Sequence, residues 1–67
     1  MKVLGVDIER GDLVVVTLKD SRVFRGVFFD YDYWYDTFSE VDELCIRDVA
    51  PSRSLKIPDI LSIEKVA

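Results

Sequence analysis

The sequence predicts an all-β fold: a small five-stranded, strongly bent antiparallel barrel in one domain spanning residues 1–67, with an extended hairpin between its second and third strands. Three observations point there. Short runs rich in β-branched and aromatic residues recur along the chain, Gly, Pro, Asp and Ser separate them, and no stretch sustains a helical period. A chain of 67 residues buries only about 60% of its unfolded surface. Self-association is therefore the expected extra source of stability, because a single cysteine rules out an intramolecular disulfide.

Val3, Leu4, Val6 and Ile8 fit neither the strand nor the helix period, so residues 3–8 read equally as a short strand or a turn of helix. Arg10-Gly11-Asp12 marks a turn into the strand Leu13-Val14-Val15-Val16-Thr17-Leu18. A two-residue loop after it would set Val16 opposite Arg25. A loop of Lys19-Asp20-Ser21 pairs Val16 with Phe24 and Val14 with Gly26, so apolar matching selects three residues. That loop needs a left-handed residue at its end, where Ser21 stands in place of glycine.

The second strand starts at Arg22 and is expected to bend at Gly26 and to face Phe24, Gly26 and Phe28 to the core. Continued alternation puts Asp30, Asp32 and Trp34 on one side and Tyr31, Tyr33 and Tyr35 on the other, in a strand that runs well past the barrel. Leu44 to Val49 is the next strand. Pro51-Ser52-Arg53-Ser54 reads as a turn, Leu55-Lys56-Ile57 as a short strand stopped by Pro58, and Ile60 to Val66 as the last strand, with Leu61, Ile63 and Val66 seeking apolar neighbours.

Charge and aromatic surface share one segment. All eight aromatic residues lie between Phe24 and Phe38. Asp30, Asp32, Asp36, Glu40, Asp42 and Glu43 form a stretch with no Lys or Arg, so the net charge of −4 is local: the other residues carry nine bases against seven acids. Such a surface suits a cationic partner, since a Lys or Arg over a ring gains cation–π energy and carboxylates steer it in. Exposed rings also stack on nucleic-acid bases. A third use packs ring on ring between subunits, and the bland reading places Phe24, Phe28 and one tyrosine in the core. Asp30, Asp32 and Asp36 lack the glycine and distal glutamate of a calcium loop, and with no His and one Cys neither a metal site nor another cofactor is expected. No nucleophile has a His partner, so the chain reads as a non-enzyme. Cys45, between Leu44 and Ile46, reads as a buried small hydrophobe. The apolar run at the N-terminus is interrupted by Asp7, too early for a signal peptide or a membrane span, and a cytoplasmic protein is expected.

Val14-x-Val16-x-Leu18-Lys19-Asp20-Ser21-Arg22-x-Phe24-x-Gly26-x-Phe28 resembles the first motif of the Sm-like (LSm, Hfq) family, Val-x-Val-x-Leu-Lys-Asp-Gly-Arg-x-Tyr-x-Gly-x-Leu. The family's fold is a small SH3-like barrel. The resemblance implies a homo-oligomeric ring in which the fourth strand of one subunit adds to the fifth of the next, pairing Arg53, Leu55 and Ile57 with Leu61, Ile63 and Val66. It also implies single-stranded RNA as partner, with Trp34 in the place of the base-stacking residue and Asp36 in that of the Asn that reads the base edge. The family's binding loop falls on Asp32-Tyr33-Trp34-Tyr35-Asp36 in this resemblance, which puts Tyr33 and Tyr35 on either side of Trp34. Lys56 keeps a charge of the second motif, and Arg53 lies near it. Asp36 and Asp59 stand where the family has Asn. Glu43 to Val49 also matches the family's third strand, and that register turns the acidic aromatic segment into a lengthened hairpin. Both registers stay open, as do both partners: RNA, or a basic protein bound by an acidic-aromatic interaction module.

Overall fold

The computed structural model describes residues 1–37, 40–47 and 52–66. Among these residues seven strands form two antiparallel sheets: β1 (Lys2–Val3) and β2 (Val6–Asp7) make a small hairpin, and five others form one sheet. These are β3 (Leu13–Leu18), β4 (Val23–Asp32), β5 (Glu43–Arg47), β6 (Ser52–Lys56) and β7 (Ile60–Val66), in spatial order β6-β5-β4-β3-β7. One helical turn, α1 (Trp34–Thr37), and one 3-10 turn, Ile57–Asp59, are the other elements among the described residues.

Residues 3–8, left open by their periodicity, form the hairpin: Val3 pairs with Val6 across Leu4 and Gly5. Both corner residues have positive φ, 50° and 82°, as a two-residue hairpin loop requires. The hairpin places Val3 and Ile8 in the core, and the Ile8 amide donates to the Met1 carbonyl at 2.8 Å. The turn that follows is held by Asp12, whose carboxylate accepts from the Glu9 amide at 2.8 Å while its own amide donates to the Glu9 carbonyl at 3.0 Å. Gly11 has φ 96° there, a conformation that charges any side chain a strain penalty although space is open around it.

The β3–β4 register is the expected one. Val14 pairs with Gly26 and Val16 with Phe24, and the Leu18 amide donates to the Arg22 carbonyl at 2.8 Å. Ser21 is left-handed at φ 76°. Asp20 braces the loop by accepting from the Arg22 amide at 3.1 Å and from its Nε at 2.7 Å.

Three expectations are corrected. The strict alternation expected past Phe28 is interrupted: Phe28 faces Ile46, Asp30 faces Cys45, and Phe29 is an extra residue between them. This bulge reverses the alternation. Strict period two would drive the Asp30 carboxylate into the core; the added residue brings Tyr31 to the core side instead. Second, the strand stops at Asp32 and the chain turns into α1, so Trp34 does not lie on an extended ribbon. Third, Ser52, Arg53 and Ser54 belong to β6, paired with Arg47, Ile46 and Cys45, and Ile57 leaves the strand for the 3-10 turn that Pro58 favours. Asp48, Val49 and Pro51 lie outside the described residues.

The core is built from Val14, Val16 and Leu18 of β3, Phe28 of β4, Leu44 and Ile46 of β5, Leu55 of β6, Ile60 and Ile63 of β7, and Val3 and Ile8, with Val6 of β2 packed against it. Phe24, Tyr31 and Ile57 pack against it, so two phenylalanines and one tyrosine serve the core. Leu61 does not find apolar cover. It is 64% exposed because the β3–β7 register shifts between Thr17 and Leu18.

Candidate functional site

The acidic aromatic segment is organised by Asp42. Its Oδ2 accepts from the Tyr31 hydroxyl at 2.8 Å and its Oδ1 from the Trp34 amide at 2.9 Å, tying the end of β4 and the start of α1 to the approach of β5. The Ile57 amide donates to the Asp42 carbonyl at 3.0 Å, which adds the 3-10 turn to the same knot. Partial burial, then the Asp42 carboxylate, push the Tyr31 phenol up to about 12.

Rings extend outward from Tyr31. Tyr33 meets it edge-on at 5.0 Å, Tyr35 stacks on Tyr33 at 5.4 Å and 15°, and Trp34 sits edge-on to Tyr35 at 5.8 Å. Trp34 and Tyr35 are 57% and 56% exposed. Thus the structure brings Tyr33, Trp34 and Tyr35 together at one end of the sheet. Asp36 lies in α1 beside them, and its side chain is outside the described residues. A cleft of about 350 Å³ runs beneath Tyr31 and Tyr33, floored by Ile8 and Phe28 and bordered by Arg10, which pairs with Asp30 at 3.4 Å.

Arg53 and Lys56 stand elsewhere. They line a second cleft, of about 290 Å³, with Arg22, Phe24 and Asp59. Phe24 is the centre of this group: the Arg53 guanidinium lies 4.5 Å and that of Arg22 5.8 Å from its ring centroid. The position of Arg53 over the ring was not legible in the sequence, because Phe24 and Arg53 lie 29 residues apart on strands that are not neighbours, whereas Arg22 is two residues from Phe24. Asp42 was equally hidden as an anchor, reading only as one carboxylate among six.

Cys45 is buried, donating to Asp32 Oδ2 at 3.3 Å and lying 3.4 Å from Ser54 Oγ. Burial pushes its thiol up, and the Asp32 carboxylate adds to the shift while the bond to Ser54 opposes it. Among the described residues no three His, Cys, Asp or Glu side chains converge as metal ligands. No helix among them is long and apolar enough to cross a membrane.

The residues expected at a subunit interface divide in two. Arg53 and Leu61 are exposed, and Ile57 and Val66 half-buried, whereas Leu55 and Ile63 are buried in the chain's own core. The latter can meet a neighbour only through their main chain. Both sets lie on or beside β6 and β7, the two edges of the sheet. Comparison with family models, with curated proteins and with solved structures returned no match.

Proposed function

We propose that this chain is a non-catalytic, Sm-like binding scaffold that assembles into a ring, β6 of each subunit pairing with β7 of the next. One observation carries the reading: a single five-stranded sheet ends in β6 on one side and β7 on the other, each with one main-chain edge that pairs with no other strand among the described residues. Exposed edges of this kind are liabilities unless covered, and head-to-tail pairing covers both at once. The β3–β4 register supports the same reading, since it matches the motif positions Val14, Val16, Phe24 and Gly26 on which the resemblance rests. In this reading the bent sheet curls into a small barrel.

Single-stranded RNA would stack on Trp34, Tyr33 and Tyr35, with Arg53 and Lys56 contributing charge from the second cleft. A specific observation favours a second reading of the ligand. The exposed rings stand beside Asp30, Asp32, Asp42 and Glu43, with Arg10 already paired to Asp30, while Arg22 and Arg53 gather around Phe24. A basic protein segment suits the ring cluster by charge; a polyanion does not.

Native mass spectrometry tests the scaffold: a closed assembly of three or more subunits is expected, and a monomer or a simple dimer overturns the ring. Fluorescent U-rich and A-rich single strands, and a Lys/Arg-rich peptide, titrated at low salt into wild type and Trp34→Ala decide the ligand. Loss of strand binding in the variant supports RNA; peptide binding alone supports the second reading.

A further inference from the structure

The run Leu13-Val14-Val15-Val16 is apolar on both faces, the pattern of a strand buried on both sides. Only one face of β3 is covered within the chain. Val14 and Val16 are fully buried, whereas Leu13, Val15 and Thr17 form the outer face and remain half-buried. The neighbouring strands continue this outer surface in register. Leu13 lies between Val27 of β4 and Val66 of β7, Val15 between Arg25 and Glu64, and Thr17 between Val23 and Ser62. Val23 and Val27 are 60% and 38% exposed. Among the described residues Arg25 and Glu64 form no ion pair.

The order of these rows is what identifies a cover. Read across the sheet, the middle row runs positive, apolar, negative, with Val15 at its centre. We propose that a second copy of this chain packs on this outer face about a two-fold axis running along β3. That rotation sets Val15 on Val15 and Leu13 on Leu13 of the copies, Val27 over Val66, and Arg25 over Glu64, with the reciprocal pair on the other side. An isologous contact needs such self-complementarity, in which each residue meets its counterpart twice. Two sheets stacked face to face keep their strands nearly aligned, so rows in register in one copy stay near the rows of the other. Placing like rows over like leaves no apolar residue opposite a charge and no charge opposite its own sign. The surface is distinct from the β6 and β7 edges, so the pairing stands whether or not these close a ring.

Charge reversal tests it. Arg25→Glu sets Glu against Glu64 of the partner, Glu64→Arg sets Arg against Arg25, and the double variant restores opposite pairs with their signs exchanged. Native mass spectrometry across the micromolar range, with circular dichroism to confirm folding, reads the outcome. Each single variant is expected to halve the assembly mass and the double variant to recover it. If the edges also form a ring, wild type has twice the ring mass and the singles show one ring; if they do not, wild type is a dimer and the singles are monomers. Unchanged mass in both folded single variants, or a folded double variant that fails to recover, overturns the proposal. So does a wild-type assembly with an odd number of subunits.

Discussion

The Tyr31 hydroxyl donates to Asp42 Oδ2 at 2.8 Å, joining residues 11 positions apart in the chain. The other oxygen of the same carboxylate holds the Trp34 amide, so Asp42 fixes where the ring cluster leaves the sheet. Asp42→Ala should lower stability by about 1–2 kcal/mol, the scale of losing hydrogen bonds to a charged acceptor. It should also shift the emission of the single tryptophan. Asp42→Asn keeps one acceptor oxygen and should cost less. Denaturant melts followed by tryptophan fluorescence measure both.

Alkaline pH should weaken the fold through Tyr31. Folded Tyr31 keeps its proton up to about 12, against an ordinary value of 10.0 that applies once the chain unfolds. Between those values the unfolded state has released a proton that the folded state still holds, so stability is undiminished below 10 and declines as pH rises towards 12. Tyr31→Phe should remove this contribution. Thermal melts across that window, with ultraviolet titration of the phenolate, provide the comparison.

Ser21 occupies a left-handed position with φ 76°, where glycine bears no side-chain penalty. Ser21→Gly should raise stability by up to about 1 kcal/mol, offset in part by the greater freedom of glycine in the unfolded chain. A lower melting temperature would mean that the serine side chain contributes more to the loop than its backbone strain costs.

Cys45 should react slowly with thiol reagents while the chain is folded, since it is buried and burial raises its pKa. Labelling should track global unfolding across a urea series. Rapid labelling in water would show that β5 and β6 separate locally at the Cys45–Ser54 pair.

Core and ring-cluster substitutions should separate cleanly. Leu44, with no exposed surface, should cost about 2–5 kcal/mol as Leu44→Ala, a large part of the stability of so small a domain. Trp34→Ala, at a position more than half exposed, should stay within about 0.5 kcal/mol. That difference makes Trp34→Ala a clean probe of binding.

The β3–β4 hairpin was legible because a one-residue slip would have set Val16 against Arg25, and only one loop length avoids it. Ser21 could be placed for the same reason. The hairpin at Leu4-Gly5 was not, since leucine is a poor advertisement for positive φ and four apolar residues in six fit no period. The bulge at Phe29 left no mark because Phe28 and Phe29 are alike; only the cost of burying Asp30 hinted at it. Ser52 to Ser54 look like a turn in composition, and their place in β6 comes from their pairing partners. At the candidate site the sequence supplied the ring cluster, since it is contiguous, but not Asp42 or the Arg53–Phe24 stack, which arise from strands brought together by the sheet.

The β3–β7 pairing bears on the order in which the protein is made. Leu13 meets Val66, so β3 acquires its second neighbour only after nearly all of the described chain has followed it. During synthesis β3 and β4 can close early on local contacts, with an apolar edge left open on Leu13-Val14-Val15-Val16. A nascent chain paused before β7 therefore presents its most adhesive segment to other chains, and premature termination there should favour aggregates over a shortened fold.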